Sequence, residues 1–106
     1  MNKVWFITGC STGFGRELAQ LVLELGYKAA VTSRNPNDIK DIAEKYPERA
    51  IAIKLDVTKP EEIKLSVQQA LNKFGQIDVL VNNAGIGYFG AIEESEEDEI
   101  DRKSVV

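Results

Sequence analysis

With 106 residues, 43% of them hydrophobic and 28% charged, the chain has the makings of a single soluble globular domain. A net charge of -4 argues against a broad nucleic-acid surface, and no run approaches the ~20 apolar residues of a membrane span. Histidine is absent and cysteine occurs once, which removes the commonest general base and metal ligand, forbids an internal disulfide and points to a reducing, cytoplasmic compartment.

Four apolar runs alternate with three segments of helical period, at a spacing close to one strand-helix unit. Val4 to Ile7, "VWFI", is rich in β-branched and aromatic types and reads as a strand buried on both faces. It turns at once into a glycine loop, so the N-terminal stretch does not read as a signal peptide. From Phe14 onward, Leu18, Leu21, Val22 and Leu25 fall on one helical face, and Gly26 stands where a left-handed cap belongs. Lys28 to Ser33, "KAAVTS", is the second strand.

Asn35 or Asn37 caps the next helix, with Pro36 in its first turn, Ile39, Ile42, Ala43 and Tyr46 inward and Pro47 as its stop. Ala50 to Val57, "AIAIKLDV", reads as strand three. Thr58 and Glu61 have the spacing of a capping box. The helix that follows carries Ile63, Val67, Ala70, Leu71 and Phe74 on one side and ends at Gly75. Ile77 to Val81, "IDVLV", is strand four. Trp5, Phe6 and Tyr46 read as core.

Buried strands joined through helices imply a parallel, doubly wound sheet, whose ligands sit beyond the carboxyl ends of the strands. Each strand here ends in a polar or glycine-bearing cluster: "TGCS", "TSRN", "LDVT" and "NNAG". Gly9, Gly13 and Gly15 stand between a buried strand and a helix, where free amides and the helix dipole attract an anion such as a pyrophosphate. Their spacing differs from both G-x-G-x-x-G and the P-loop. Taken alone, the three glycines are also compatible with a ligand-free turn at the start of a helix.

Three motifs together carry a resemblance. "TGCSTGFG" at 8–15, "LDVT" at 55–58 and "NNAG" at 82–85 match, in order and at the right strand ends, the signatures of the short-chain dehydrogenases/reductases. The chain resembles that family from residue 3 to about residue 100. The resemblance implies a Rossmann-like sheet of about four strands in the order 3-2-1-4, with three helices and the start of a fourth. It makes residues 1–106 part of an NAD(P)-binding domain, from an enzyme acting on alcohols or carbonyls.

By the same resemblance, Gly9, Gly13 and Gly15 shape the pyrophosphate turn, Ser11 and Thr12 serve the adenosine-side phosphate and ribose, and Phe14 offers its amide. Asp56 and the Val57 backbone receive the adenine. Asn83, Ala84 and Gly85 line the adenosine ribose, and Asn82 ties strand four to its neighbour.

Position 33, about 20 residues past the loop, is where an NAD enzyme carries a carboxylate, and here Ser33 is followed by Arg34. A guanidinium binds a 2′-phosphate through charge-assisted hydrogen bonds, so NADP is expected over NAD; the alternative is that Arg34 is merely solvated after the strand and Asp38 contributes an acid nearby.

Cys10 reads as a small loop residue, since no resolving partner exists. By the same resemblance, Tyr88 and Phe89 fall near the nicotinamide end, where they read either as substrate contacts in a whole enzyme or as packing on the loop. The seven acidic residues from Glu93 to Asp101 read as a solvated helix start. No metal site is expected.

The family's proton donor is a tyrosine with a lysine four residues on. Here Tyr27, Tyr46 and Tyr88 are followed at that spacing by Val31, Ala50 and Ile92. The chain is expected to be inactive alone, with the match fading in "DRKSVV" as in a truncated piece, a partial gene or a frame change. A complete enzyme is expected to be a homo-oligomer, and strand four a sticky edge inviting self-association. The alternative is a non-catalytic nucleotide-binding or regulatory module, which a downstream Tyr-x-x-x-Lys would exclude.

Overall fold

The structure, a computed structural model, describes residues 2–83. Its elements in chain order are β1 (Val4–Ile7), α1 (Gly13–Glu24), β2 (Lys28–Ser33), a 3₁₀ turn (Pro36–Asp38), α2 (Lys40–Lys45), β3 (Ala50–Lys54), α3 (Pro60–Phe74) and β4 (Val79–Val81). All pairings are parallel and the strands lie in the order β3-β2-β1-β4. This is the expected doubly wound arrangement.

Alternation along each strand feeds two cores, one on either face of the sheet. Phe6, Ala30, Ile53 and Leu80 meet Ile63, Val67 and Ala70 of α3 on one face. Ile7, Val31, Val79 and Val81 pack with Ala19, Val22 and Leu23 of α1 and Ile42 of α2 on the other. Each fully buried Leu, Ile, Val or Phe contributes about 1.5–3 kcal/mol relative to exposure. Phe6 is wholly buried, whereas Trp5 and Tyr46 are partly buried at the margin of the second core.

The buried face of α1 differs in part from the one expected, since Val22 is buried and Leu18 packs against the second core as read. It consists of Gly15, Ala19, Val22 and Leu23, while Leu21 and Leu25 are 50% and 51% exposed. The leucine stripe lies roughly a quarter turn around the helix from the face that meets the sheet. Small residues at 15 and 19 let the helix approach closely, and that advantage outweighs the bulk of the leucines.

The helix ends as expected, with Gly26 N–H donating to Leu23 O and Tyr27 N–H to Val22 O, a Schellman pair. Asn35 caps the 3₁₀ turn by accepting from the Asn37 amide, and α2 begins only at Lys40. Gly75 ends α3 with φ 80°.

Strand three ends at Lys54, three residues before the expected Val57. Asp56 bends the chain there: its carboxylate accepts from both the amide and the hydroxyl of Thr58, at 3.0 and 2.6 Å. The same bonds dissolve the expected capping box, because Thr58 spends its hydroxyl on Asp56 and the N-cap of α3 is Lys59. Strand four likewise starts at Val79 rather than Ile77, although Ile77 remains buried.

Candidate functional site

The chain leaves β1 through a loop pinned on three sides. Thr8 N–H donates to Val81 O of β4 at 3.1 Å, and Cys10 N–H to Thr32 O of β2 at 2.8 Å. From the end of β4, Asn83 Nδ2 donates to Gly9 O at 3.0 Å. Gly9 and Gly13 adopt φ of 66° and 64°, left-handed values that other residues rarely take. These two turns aim the chain over the sheet end and start α1 at residue 13.

The N-terminus of α1 carries unusually little to satisfy it. Thr12 occupies the N-cap in extended geometry without a side-chain cap bond, and the first turn has no acidic residue. In contrast, α3 has Glu61 and Glu62 in its first turn. Open amides at the positive end of a helix dipole favour an anion.

Beside this loop lies a cleft of about 560 Å³ across the carboxyl ends of the strands. Gly9, Ser11 and Thr12 line it from β1, and Ser33, Arg34, Asn35 and Asp38 from β2. Leu55, Asp56, Val57 and Thr58 come from β3, and Asn83 from β4. All four strands therefore contribute to one cavity.

The walls are held from behind. Glu62 accepts from Asp56 N–H at 3.0 Å and pairs with Lys54 at 3.0 Å, which fixes the β3–α3 turn. Ser33 Oγ accepts from Asn35 N–H at 3.2 Å and fixes the start of the β2–α2 turn. Hydrogen bonds from the Thr58 hydroxyl and amide hold Asp56 below the usual carboxylate range, with Lys59 and Arg34 adding in the same sense. Asp56 is thus an anion and a ready hydrogen-bond acceptor at neutral pH. Arg34 makes no ion pair among the described residues, so its cation is available to a ligand.

Cys10 has no such role. It is fully buried, its thiol donates to Ile7 O at 3.3 Å, and burial pushes its pKa up to about 12. No group of three or more potential metal ligands gathers among the described residues.

Comparison with known proteins agrees with this geometry. Residues 3–105 match the family model described as short chain dehydrogenase. The chain belongs to the short-chain dehydrogenase family. Oxidoreductase BOA17 of Botryotinia fuckeliana is 37% identical over 100 residues, covering 93% of this chain and 36% of that protein.

Among solved structures, a 3-ketoacyl-(acyl-carrier-protein) reductase from Brucella melitensis complexed with NADH matches with TM-score 0.71 and 33% identity, over 74% of this chain and 33% of that one. The C-domain of a bacterial malonyl-CoA reductase with NADP matches with TM-score 0.73 and 30% identity, over 81% of this chain and 15% of that one. This short-chain dehydrogenase sequence spans well under half the length of the curated relatives it matches.

Within the family signatures, the residues divide by position. Gly9, Ser11, Thr12, Ser33, Arg34, Asp56, Val57 and Asn83 line the cleft. Gly13 and Phe14 open α1 beside it, with Phe14 62% exposed. Gly15 lies under the loop, packed against Gly9 and Asn83. Ala84, Gly85, Tyr88, Phe89 and the acidic stretch from Glu93 to Asp101 lie outside the described residues.

Asn35, Leu55 and Thr58 line the cleft without having been singled out for it, and Asp38 joins them as more than a nearby acid. Asn35, Leu55 and Thr58 belong to the strand-end clusters "TSRN" and "LDVT", and Asp38 shares the turn after the first of them, which is the signal the sequence offered. The side-chain tie from Asn83 to Gly9 had no signal in the sequence, because the two lie 74 positions apart.

Among the described residues, no helix is long and apolar enough to cross a membrane.

Proposed function

We propose that this chain is the dinucleotide-binding part of an NAD(P)-dependent oxidoreductase that acts on an alcohol or carbonyl. The carrying observation is the uncapped start of α1 opening on a cleft to which all four strand ends contribute. The pyrophosphate takes the amides of the loop from Gly9 to Gly15, including that of Phe14, with Ser11 and Thr12 serving the nearby phosphate and ribose. Asp56 accepts from the adenine amino group and Val57 meets the ring through its backbone. Asn83, Ala84 and Gly85 flank the adenosine ribose, with the Asn83 amide already engaged in holding the loop.

NADP is preferred over NAD. Support comes from the Arg34 guanidinium at the end of β2, which makes no ion pair among the described residues and stands where a carboxylate would repel a 2′-phosphate. Family likeness alone does not decide the matter, since one neighbour is complexed with NADH and another with NADP. The bound dinucleotide supplies the hydride, and the residues described above hold its adenosine half. The 106 residues contain no Tyr-x-x-x-Lys, so the chain by itself binds cofactor without turning over substrate.

Calorimetric titration of the purified chain with NADPH and NADH tests the reading. Wild type should favour NADPH, and Arg34→Asp should remove or reverse the preference. An unchanged preference in that variant would sink the NADP assignment, and no binding of either dinucleotide would sink the whole reading.

A further inference from the structure

Arg34, Asn35 and Asp38 belong to a short turn that organises itself locally. Asn37 N–H donates to Asn35 Oδ1, Asp38 N–H to Asn35 O, and Ile39 N–H to Pro36 O. None of those bonds relates the turn to the phosphate loop. Ile39, fully buried, sets how deeply the turn sits against the core, but an apolar contact is non-directional.

The directional tie comes from Arg16. Its guanidinium donates to Asp38 O at 3.0 Å and pairs with the carboxylate of Asp41. Arg16 follows Gly15, whose close fit against Gly9 and Asn83 anchors the start of α1. One side chain therefore spans from the pyrophosphate loop's own helix to the last residue of the 3₁₀ turn and the first turn of α2, which follow Arg34 in the chain.

We infer that Arg16 is a specificity-positioning residue, which holds the β2–α2 turn at the distance from the phosphate loop that lets Arg34 reach a 2′-phosphate. The inference rests on the functional reading above. Engaged by Asp38 and Asp41, the Arg16 guanidinium acts through the turn and not on the ligand. Its loss should weaken binding of the 2′-phosphorylated dinucleotide and spare the other, whose pyrophosphate and adenine contacts lie elsewhere in the cleft.

The experiment is a titration of the full chain with NADPH and NADH in wild type, Arg16→Met, Arg16→Lys and Asp41→Asn. Arg16→Met should weaken NADPH binding about tenfold and change NADH binding by less than about twofold. Arg16→Lys should retain part of the preference, and Asp41→Asn should shift it the same way as Arg16→Met. Equal losses for both dinucleotides would reduce Arg16 to a structural residue.

A loss in Arg16→Met with no change or a gain in Asp41→Asn would mean that Arg16 touches the phosphate itself, which also overturns the positioning role. Should Arg16→Met fail to fold, Asp41→Asn decides: a loss confined to NADPH supports the inference and any other result overturns it. A wild type that binds neither dinucleotide, or both alike, would overturn the functional reading first. A wild type that discriminates, with variants that discriminate equally well, would overturn this inference alone.

Discussion

A Cβ placed on Gly15 would stand 2.3 Å from Gly9 O and 2.6 Å from Asn83 Nδ2, and both atoms are already committed to the hydrogen bond that closes the loop. Alanine normally gains about 1 kcal/mol over glycine inside a helix. Overpacking costs about 1–3 kcal/mol, and here one partner is backbone that cannot rotate away. Gly15→Ala should therefore lower the denaturant midpoint despite the better helix former, followed through the fluorescence of Trp5, the single tryptophan. A midpoint equal to or above wild type would show that the loop yields freely. The resemblance marks this glycine as one that shapes the pyrophosphate turn. The structure adds that the carbonyl of Gly9 and the amide of Asn83 stand where its Cβ would be. A contact between positions so distant in the chain exists only once β1 and β4 are neighbours.

Local elements were legible where their signal was local. The limits of β1 and β2 and the glycine at the end of each long helix follow from apolar runs and caps within a few residues. The face of α1 was not legible, because hydrophobicity favours the leucines and cannot weigh how near Gly15 and Ala19 let the sheet come. The β3–α3 turn failed similarly: Thr58 and Glu61 have the right spacing, yet Asp56 takes the hydroxyl and Glu62 provides the reach back. That turn has a pH signature. Asp56 is held low chiefly by the Thr58 hydroxyl, and Glu62 chiefly by the Asp56 amide and then Lys54. Asp41 is held low chiefly by Arg16. Folded values below unfolded ones mean that these groups add stability above the ordinary carboxylate range near about 4. That stability fades as pH falls through the lower folded values. Denaturant midpoints should thus drop from about pH 5 downward, and Glu62→Gln should shallow the drop. An acid limb identical in wild type and variant would remove Glu62 from the linkage. Salt should weaken the effect, since Asp41 and Lys54, the partner of Glu62, are exposed.

At the scale of the whole molecule, the parallel sheet and the site at its strand ends could be anticipated from alternation and right-handed crossovers, whereas the strand order came from the family resemblance that the motifs carry. The two edges of the sheet are not equivalent. β3 ends in an exposed Lys54 paired with Glu62, which places one charge at the end of an otherwise apolar edge. β4 is Val79-Leu80-Val81, uncharged throughout, and pairs only with β1 among the described residues. Three residues make a short template, which limits the strength of any contact through it. Even so, an apolar strand paired on one side only among the described residues should recruit another chain once concentration is high enough, so the sedimentation coefficient should rise with concentration. The unfolding midpoint should rise with it, because association stabilises the folded state by mass action. Cooperative unfolding of a monomer, unchanged over roughly a hundredfold range of concentration, would show that the edge is closed. Adding NADPH separates this contact from cofactor binding. The cleft opens at the carboxyl ends of the strands while the edge left unpaired among the described residues runs along β4, so dinucleotide should raise the midpoint at every concentration without abolishing its concentration dependence.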